Sequence, residues 1–445
     1  MQKPPFTPSV TSDNKARSQF ALLIFTLICL AYLFVTFHRV TPNIIAVDLA
    51  RDLHMDAVAI GSMSSVFFLV FGLMQLPSGL LADTLGPRKT TPGFFAIAGL
   101  ACVYFGMTSS TGALMFSRAL MGFGVSVIFV CGVKLLSQWF PPDRFAAMNG
   151  LFLGMGGIGL IFGSGPLALL CAALGWRHAM IVTGIVTLAI AALLFLFVFD
   201  KPQDKGFAPY QELPPRTESA LTVMKGNLRR ICFSAQFWII AAWFCCHFSI
   251  HMAFGGVWGG PFLMDIHGMS RVEAGNVINM MGIGMLAGGP LNGWLSDKLL
   301  HARKPVMLIN SAAMIVCFAL LAWCGKDFPV WGCYLWFFAI AAFGMGALSI
   351  GFASMRDLYG AATTGTASGL LNAFPSFAVS ALQPFTGAVL EAAGRGENGG
   401  FTAQGFTQAA YIYLALGVIA LAAALIVREP MRKAAATAFT SEVQS

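Results

Sequence analysis

Two arginines and three histidines fall where an apolar chain has little room for them. The stretch FVTFHRVTPN holds His38, Arg39 and Asn43, and RALMGFG opens on Arg118. An ionisable side chain at membrane depth costs about 2.5–3.5 kcal/mol or more, so it faces a cavity and has work to do. Arg39 and Asn43 are four apart and share a helix face. Arg39 and Arg118 lie at similar depth, counted from the same end of their segments. If both face one pathway they clamp an anion, because the guanidinium fork matches a carboxylate with two parallel hydrogen bonds. A structural or proton-linked role for Arg118 stands beside that reading.

The stretch WFCCHFSIHMAFGGVW places His247 and His251 one turn apart. Imidazole titrates near neutral pH, so His38, His247 and His251 are candidates for carrying a coupling proton. A packed, hydrogen-bonded pair is the competing reading for His247 and His251, and a zinc site would need more ligands than this pair supplies. His247 and Trp258 join Arg39, Asn43 and Arg118 as candidate substrate contacts, with Trp258 and Gly259–Pro261 forming a bend where a gate would move. Glu391 and Asp48 lie near helix ends and do not compete as embedded acids. Lys134 either snorkels to the interface or attracts anions leaving the cavity. Asn276, Asn279 and Asn372 are expected to hydrogen-bond between helices.

These groups need a scaffold, and the composition says which kind. Of 445 residues, 57% are hydrophobic and 10% charged, against about 25% charged in soluble proteins. This is the composition of an all-α, multi-pass membrane protein. The net charge of +8 reflects loop topology and not nucleic-acid binding. The ten cysteines fall mostly in apolar segments without a C-x-x-C framework, so neither a metal site nor a disulfide scaffold is expected. No cofactor is expected. The absence of G-x-x-x-x-G-K-[ST] argues against ATP hydrolysis by the chain. The N-terminal apolar run lacks an A-x-A-like site and reads as a retained anchor.

A spanning helix takes about 20 apolar residues. Twelve such segments are predicted: 19–47, 58–82, 92–110, 112–139, 145–173, 178–199, 234–264, 271–296, 304–325, 328–353, 365–393 and 405–427. Polar, Pro-containing residues 200–233 divide them six and six. The predicted organisation is a tail (1–18), a six-helix bundle (19–199), a central loop (200–233), a second bundle (234–427) and a tail (428–445), whose end is expected to be disordered. With the N-terminus in the cytoplasm, about 19 of the 27 Lys and Arg residues fall in cytoplasmic segments. That bias puts both termini inside, in a bacterial inner membrane.

A motif recurs between the second and third helix of each half. GLLADTLGPRKT carries Gly79, Asp83, Gly86, Arg88 and Lys89; GWLSDKLLHARK carries Gly293, Asp297, Arg303 and Lys304. Each glycine precedes its aspartate by four. A glycine lets another backbone approach closely, and an aspartate at a helix end can meet the positive N-terminus of a neighbouring helix. Such a contact would latch two halves and release them, as a gate requires. Positive charge for topology accounts for Arg88 and Lys89 but not for Asp83 or the repeated spacing.

The first copy resembles the signature loop of the major facilitator superfamily, with Thr84 in place of the usual Arg. RALMGFG resembles that family's R-x-x-x-G pattern in its fourth helix, and the resemblance covers nearly the whole chain. It implies two pseudo-symmetric six-helix bundles, inverted repeats and alternating access around a midplane site, with helices 1, 4, 7 and 10 lining the cavity. GMGGIGLIFGSGPL resembles the Gly-rich fifth helix of the antiporter branch, with Leu169 and Leu170 replacing its trailing glycines. Gly157 stands where the nitrate/nitrite branch has Asn. The arginine pattern is similar to the organic-anion (anion:cation symporter) branch, with His38 replacing its Asp and Val125 standing where sugar-acid members carry an acid.

The resulting expectation is a secondary transporter for a small carboxylate-bearing, anionic or zwitterionic solute, coupled to a proton and sufficient as a monomer. Efflux or exchange of other small molecules, and a transporter-like sensor, remain the other readings. A membrane enzyme would need a clustered acid, base or nucleophile that the embedded residues do not supply.

Overall fold

The computed structural model describes residues 10–208, 226, 228–396 and 399–430. The predicted tail ahead of Val10, most of the central loop, the tail beyond Pro430 and the side chain of Asp83 lie outside the described residues. Among the described residues, twelve long helical spans follow one another. In the first half they are α1 (Val10–Leu53), α2 (Ala57–Thr84), α3 (Pro87–Met107), α4 (Thr111–Val125 with Ile128–Trp139), α5 (Pro142–Phe162 with 165–174) and α6 (176–197). In the second half come α7 (Ala235–Ala253, running on to Ile266), α8 (Arg271–Trp294, with a π-turn to Leu299) and α9 (Lys304–Cys324). They are followed by α10 (Val330–Gly344 with Ala347–Tyr359), α11 (Ala361–Ala392) and α12 (Ala403–Ile426).

Among the described residues, ten stretches are long and apolar enough to cross a membrane. One of them, Met148–Phe197, holds both α5 and α6 across a bend at Gly175. α8 is the less apolar twelfth helix, carrying Glu273 and three asparagines. The chain is a multi-pass integral membrane protein.

The helices overrun the predicted spans. α1 begins at least nine residues before the predicted 19 and ends at Leu53 rather than 47, because nothing in TSDNKAR or in DLARDL breaks a helix. Helical hydrogen bonds continue once the chain leaves hydrocarbon. α3 starts at Pro87 and not at 92. Gly86 takes a left-handed φ of 80° and Pro87 follows at the first turn, a combination suited to starting a helix abruptly. Asp56 caps α2 through its bond to the Ala59 N–H, and Ser270 with Glu273 forms a capping box on α8.

α4 and α10 both break mid-membrane, at Ser126–Val127 and at Met345–Gly346. Each break follows a Phe-Gly element, GFGVSV or AFGMG. α7 is irregular as well: π-turns at Phe254–Trp258 and Phe262–Ile266 bracket Gly259–Pro261. This is the predicted bend.

α1–α6 and α7–α12 form the two bundles. They meet along two seams, α2 against α11 and α5 against α8. The seams are close because glycines line them: a Cβ on Gly61 would lie 2.6 Å from the Gln383 carbonyl oxygen. A Cβ on Gly157 would lie 2.9 Å from that of Gly282. Small residues at helix interfaces supply the van der Waals contact that drives association in lipid.

Candidate functional site

The site is built on α2. Phe67 and Phe71, one turn apart, present parallel rings with centroids 6.3 Å apart and planes 5° apart. The Arg118 guanidinium lies 4.6 Å from the Phe67 ring centre, and that of Arg39 lies 4.4 Å from the Phe71 ring centre. A cation over an aromatic face gains about 2 kcal/mol when water is excluded. Gly122, four residues after Arg118, explains the R-x-x-x-G spacing. It brings α4 against the Phe67 carbonyl, where no Cβ would fit. The same contact sets Arg118 over the ring.

The two arginines are bound differently. Arg118 is buried and donates from Nη1 to the His38 carbonyl oxygen at 2.7 Å, tying α4 to α1. Its Nε and Nη2 are buried without partners. Arg39, 8% exposed, has no hydrogen-bond or ion-pair partner among the described residues, only the Phe71 ring. A buried cation with open donors is costly alone. The pair therefore offers unfilled donors over neighbouring rings of α2, in chemistry suited to an anion.

The remaining predicted contacts are distributed elsewhere. His38 turns away from the arginines, its Nε2 3.4 Å from the Thr187 hydroxyl on α6, with Phe34 and Phe37 beside the ring. His247 points to α9, with Nε2 3.1 Å from the Ser311 hydroxyl and the Trp243 ring tilted against it at 4.7 Å. His251 packs against Gly344 of α10, where an added Cβ would sit 3.2 Å from its own. Each histidine is buried, with its nearest polar or packing neighbour in its own bundle.

Asn43 and Trp258 sit in the closure of one end. This is the face that the basic-residue pattern assigns to the outside, and it is called external below. Asn43 Nδ2 donates to the Gly255 carbonyl at 2.5 Å, and its Oδ1 accepts from the Gly260 N–H. Both sides of the amide are used to hold α1 to α7. Trp258 is fully buried, edge-on to Phe401 and beside Gly387 of α11. Neither side chain stands with the arginines. Three further polar contacts join the bundles at this face: Asp48 with Arg271, the Ala57 N–H with Glu391 at 3.1 Å, and the Gly165 N–H with Asn279 at 2.9 Å. Asn279 thus makes the expected interhelical bond, and Asn372 lies 3.5 Å from Gln75.

At the opposite, internal face the repeated motif is assembled differently from expectation. No heavy atom comes within 4 Å of a Cβ built on Gly79 or Gly293, so neither glycine serves a close approach here. Asp297 does not meet a helix N-terminus. It pairs with Arg303, which also bonds Asp357 at 2.9 Å and Ser296. Burial opposes the charge of Arg303, but the bonds and charges of Asp357 and Asp297 outweigh it and hold its pKa above the ordinary value.

The helix N-termini are capped from the ends of the bundles instead. Asp200, just past α6, accepts from the Arg88 N–H at 2.8 Å and fills the space over Gly86. Glu429, just past α12, accepts from the N–H groups of Arg303 and Lys304 at 2.8 and 2.9 Å. Carboxylates belong at this end of a helix, and the two caps are equivalent in the two halves. Arg88 covers the Phe199 ring at 4.0 Å, and Lys304 Nζ reaches the Leu425 carbonyl. Lys134 donates to the Ala82 carbonyl at 2.6 Å, at the end of α2.

Phe67, Phe71, Asp200 and Glu429 were not singled out in the sequence. The i, i+4 phenylalanines are common in apolar helices, and the two caps lie more than 100 residues from what they cap. The acid expected to cap was the nearest one.

Comparison with known proteins agrees with this architecture. The family model of the Major Facilitator Superfamily matches residues 25–374 and again 245–444. The chain belongs to the Major Facilitator Superfamily of membrane transporters. A "Probable hexose phosphate transport protein" of Chlamydia trachomatis is 22% identical over 400 residues, covering 84% of this chain and 87% of the relative. "Membrane sensor protein UhpC" of Salmonella typhimurium is 24% identical over 336 residues, 71% of this chain and 74% of the relative. The "Probable galactarate/D-glucarate transporter GudP" of Bacillus subtilis is 25% identical over 419 residues, 87% and 89%. A bacterial homolog of the human lysosomal transporter Spinster, solved inward-facing and unoccupied, has the same fold. Its TM-score is 0.70 at 18% identity, over 93% of this chain and 97% of that one.

Proposed function

We propose that this chain is a secondary transporter that moves a small organic anion by alternating access, with Arg39 and Arg118 holding the anionic group. One observation carries the reading: Arg39 is buried on Phe71 with its donors unfilled. A carboxylate, phosphate or sulfonate would fill them, and the named substrates of the relatives include sugar phosphates and sugar acids. The solute crosses chemically unchanged. The closed external face and the uncontacted glycines at the internal face correspond to an inward-facing state, and one monomer suffices for the cycle. Both termini lie in the cytoplasm of a bacterial inner membrane. Residues 19–199 and 234–427 are the moving bundles.

A proton is the proposed coupling ion. His38 and His247 each keep a buried Nδ1 without a partner, and His251 lies one turn from His247, so all three are candidates to carry it.

The test is thermal stability of the purified protein with hexose phosphates, sugar acids, sulfonates, mono- and dicarboxylates, amino acids and neutral sugars. A ligand that binds the folded state alone raises Tm by mass action. Anions are expected to stabilise the wild type and not Arg39→Gln. Stabilisation by neutral solutes alone overturns the anion site. The stabilising anion is then offered to proteoliposomes with and without a proton gradient. Binding without uptake would make the chain a sensor, in line with its sensor relative, and uptake indifferent to the gradient would remove the proton.

A further inference from the structure

The anion site built so far belongs to one bundle: Arg39 stands on α1, Phe67 and Phe71 on α2 and Arg118 on α4. A ligand shifts a two-state equilibrium only through contacts that differ between the states. A solute that draws the bundles together therefore needs contacts on the second bundle as well.

Gln383 of α11 is fully buried. Its Nε2 donates to the Met252 carbonyl of α7 at 3.3 Å, while its Oε1 has no hydrogen-bond partner among the described residues. Trp258 of α7 is buried to the same degree, and its indole Nε1–H is likewise without an acceptor there. The two share one seam, because Gly387, one turn after Gln383, lies against the Trp258 ring. α7 winds here as the π-turn Phe254–Trp258, a form that recurs at functional sites. Gly256, in the middle of that turn, is buried, yet a Cβ built on it would meet only Gln383 Nε2, at 3.8 Å. A Cβ on Gly255 would collide with Met281 and one on Gly259 with the Phe337 ring, so the room belongs to Gly256 and faces the amide.

This niche is tied to the anion site. Asn43, one turn after Arg39 on α1, donates to the Gly255 carbonyl. The Gln383 carbonyl meets α2 at Gly61, six residues before Phe67. Counted along α1 and α2, the amide lies about 6–9 Å to the external side of Arg39 and Phe67.

A buried acceptor and a buried donor without partners are costly. A hydroxyl group both donates and accepts, so a polyol can give a hydrogen to Gln383 Oε1 and accept one from Trp258 Nε1. An ionised carboxylate cannot donate to Oε1, and an alkyl chain serves neither group. We propose that Gln383, with Trp258, is a hydroxyl-binding subsite that selects polyhydroxylated anions over alkyl anions of the same length. A site built to bond a hydroxyl rejects the analogue that lacks it. The inference rests on the anion site proposed above and extends it to the second bundle. The solute then links the two: its charge lies on Arg39 and Arg118, its hydroxyls on α7 and α11.

Thermal-shift titrations of the full-length protein compare solutes matched in charge and length: glucarate with adipate, gluconate with hexanoate, and glucose 6-phosphate with hexyl phosphate. The wild type is expected to prefer the hydroxylated member by about tenfold, the ratio for about 1.4 kcal/mol. Gln383→Leu should abolish that preference and leave the affinity for the alkyl anion unchanged. Gly256→Ala occupies the niche at an ordinary contact distance. Its ligand-free Tm should stay at or above wild type while the preference falls, which keeps the test decisive if Gln383→Leu does not fold. Arg39→Gln should lose both members of each pair. A wild-type preference retained in Gln383→Leu, or in Gly256→Ala where Gln383→Leu does not fold, overturns the subsite and leaves the anion site standing. A wild type that binds both members equally does the same. If neutral hexoses stabilise the wild type, no anion does, and Gln383→Leu abolishes the effect, the hydroxyl contact stands and the anion site falls. If no solute binds, both fail.

Discussion

Arg118 Nη1 lies 2.7 Å from the carbonyl oxygen of His38, the residue immediately before Arg39. The arginine of α4 is thereby fixed to the backbone that presents the arginine of α1. The guanidinium groups lie over successive parallel rings of α2. One arginine is hydrogen-bonded and the other, among the described residues, meets only a ring, so their substitutions separate binding from stability.

Arg39→Gln removes a cation that has no hydrogen-bond or ion-pair partner among the described residues. It is expected to abolish stabilisation by anions while leaving the ligand-free Tm near wild type. Arg118→Gln also breaks a buried charge-assisted bond, costing about 1.5–3 kcal/mol, and should lower the ligand-free Tm. Melting curves of both variants with and without anion check the contrast.

Phe71→Leu keeps an apolar contact under Arg39 but loses the ring. With a cation–π contribution of about 0.5–2 kcal/mol, anion affinity should weaken from about twofold to about thirtyfold. Phe67→Leu acts on the anchored arginine and should weaken it less. Titration calorimetry with the best anion distinguishes the two.

The seam glycines should divide by face. Gly61→Val places side-chain atoms where the Gln383 carbonyl already sits. It should destabilise this conformation and shift the protein away from external closure. Gly79→Val meets nothing within 4 Å here, so Tm should stay near wild type, because valine is no worse a helix former than the glycine it replaces. Its uptake rate should still drop if the internal face closes in the cycle. Wild-type uptake with Gly79→Val would remove that glycine from the gate.

His267, in the turn between α7 and α8, has its pKa pushed down by burial, against the opposing effects of the Gly325 carbonyl and Asp327. Its folded state prefers the neutral ring, so the unfolded chain binds more protons at acid pH. This contribution to stability is complete above the ordinary histidine pKa and shrinks as pH falls below it. Tm should decline from pH 7.5 to 5.5, and His267→Gln should decline less. Equal slopes in the two proteins would refute the assignment.

The division into two sets of six helices and the placing of Arg39 and Arg118 in apolar helices were legible in the linear sequence. Each is local or repeats at fixed spacing: hydrocarbon length, an ionisable residue in an apolar run. What faces what was not legible. Asn43 shares a helix face with Arg39, yet both sides of its amide are taken by α7. His38 and His247 sit in apolar runs, but nothing local says that they face the hydroxyls of Thr187 and Ser311. Asp48, read only as an acid near a helix end, is buried against Arg271, 223 residues away in the chain. Helix periodicity gives a residue its angular position on its own helix. Only the packing of twelve helices decides which neighbour, apolar wall or open donor it meets there, and with that which charges stay unpaired for an anion.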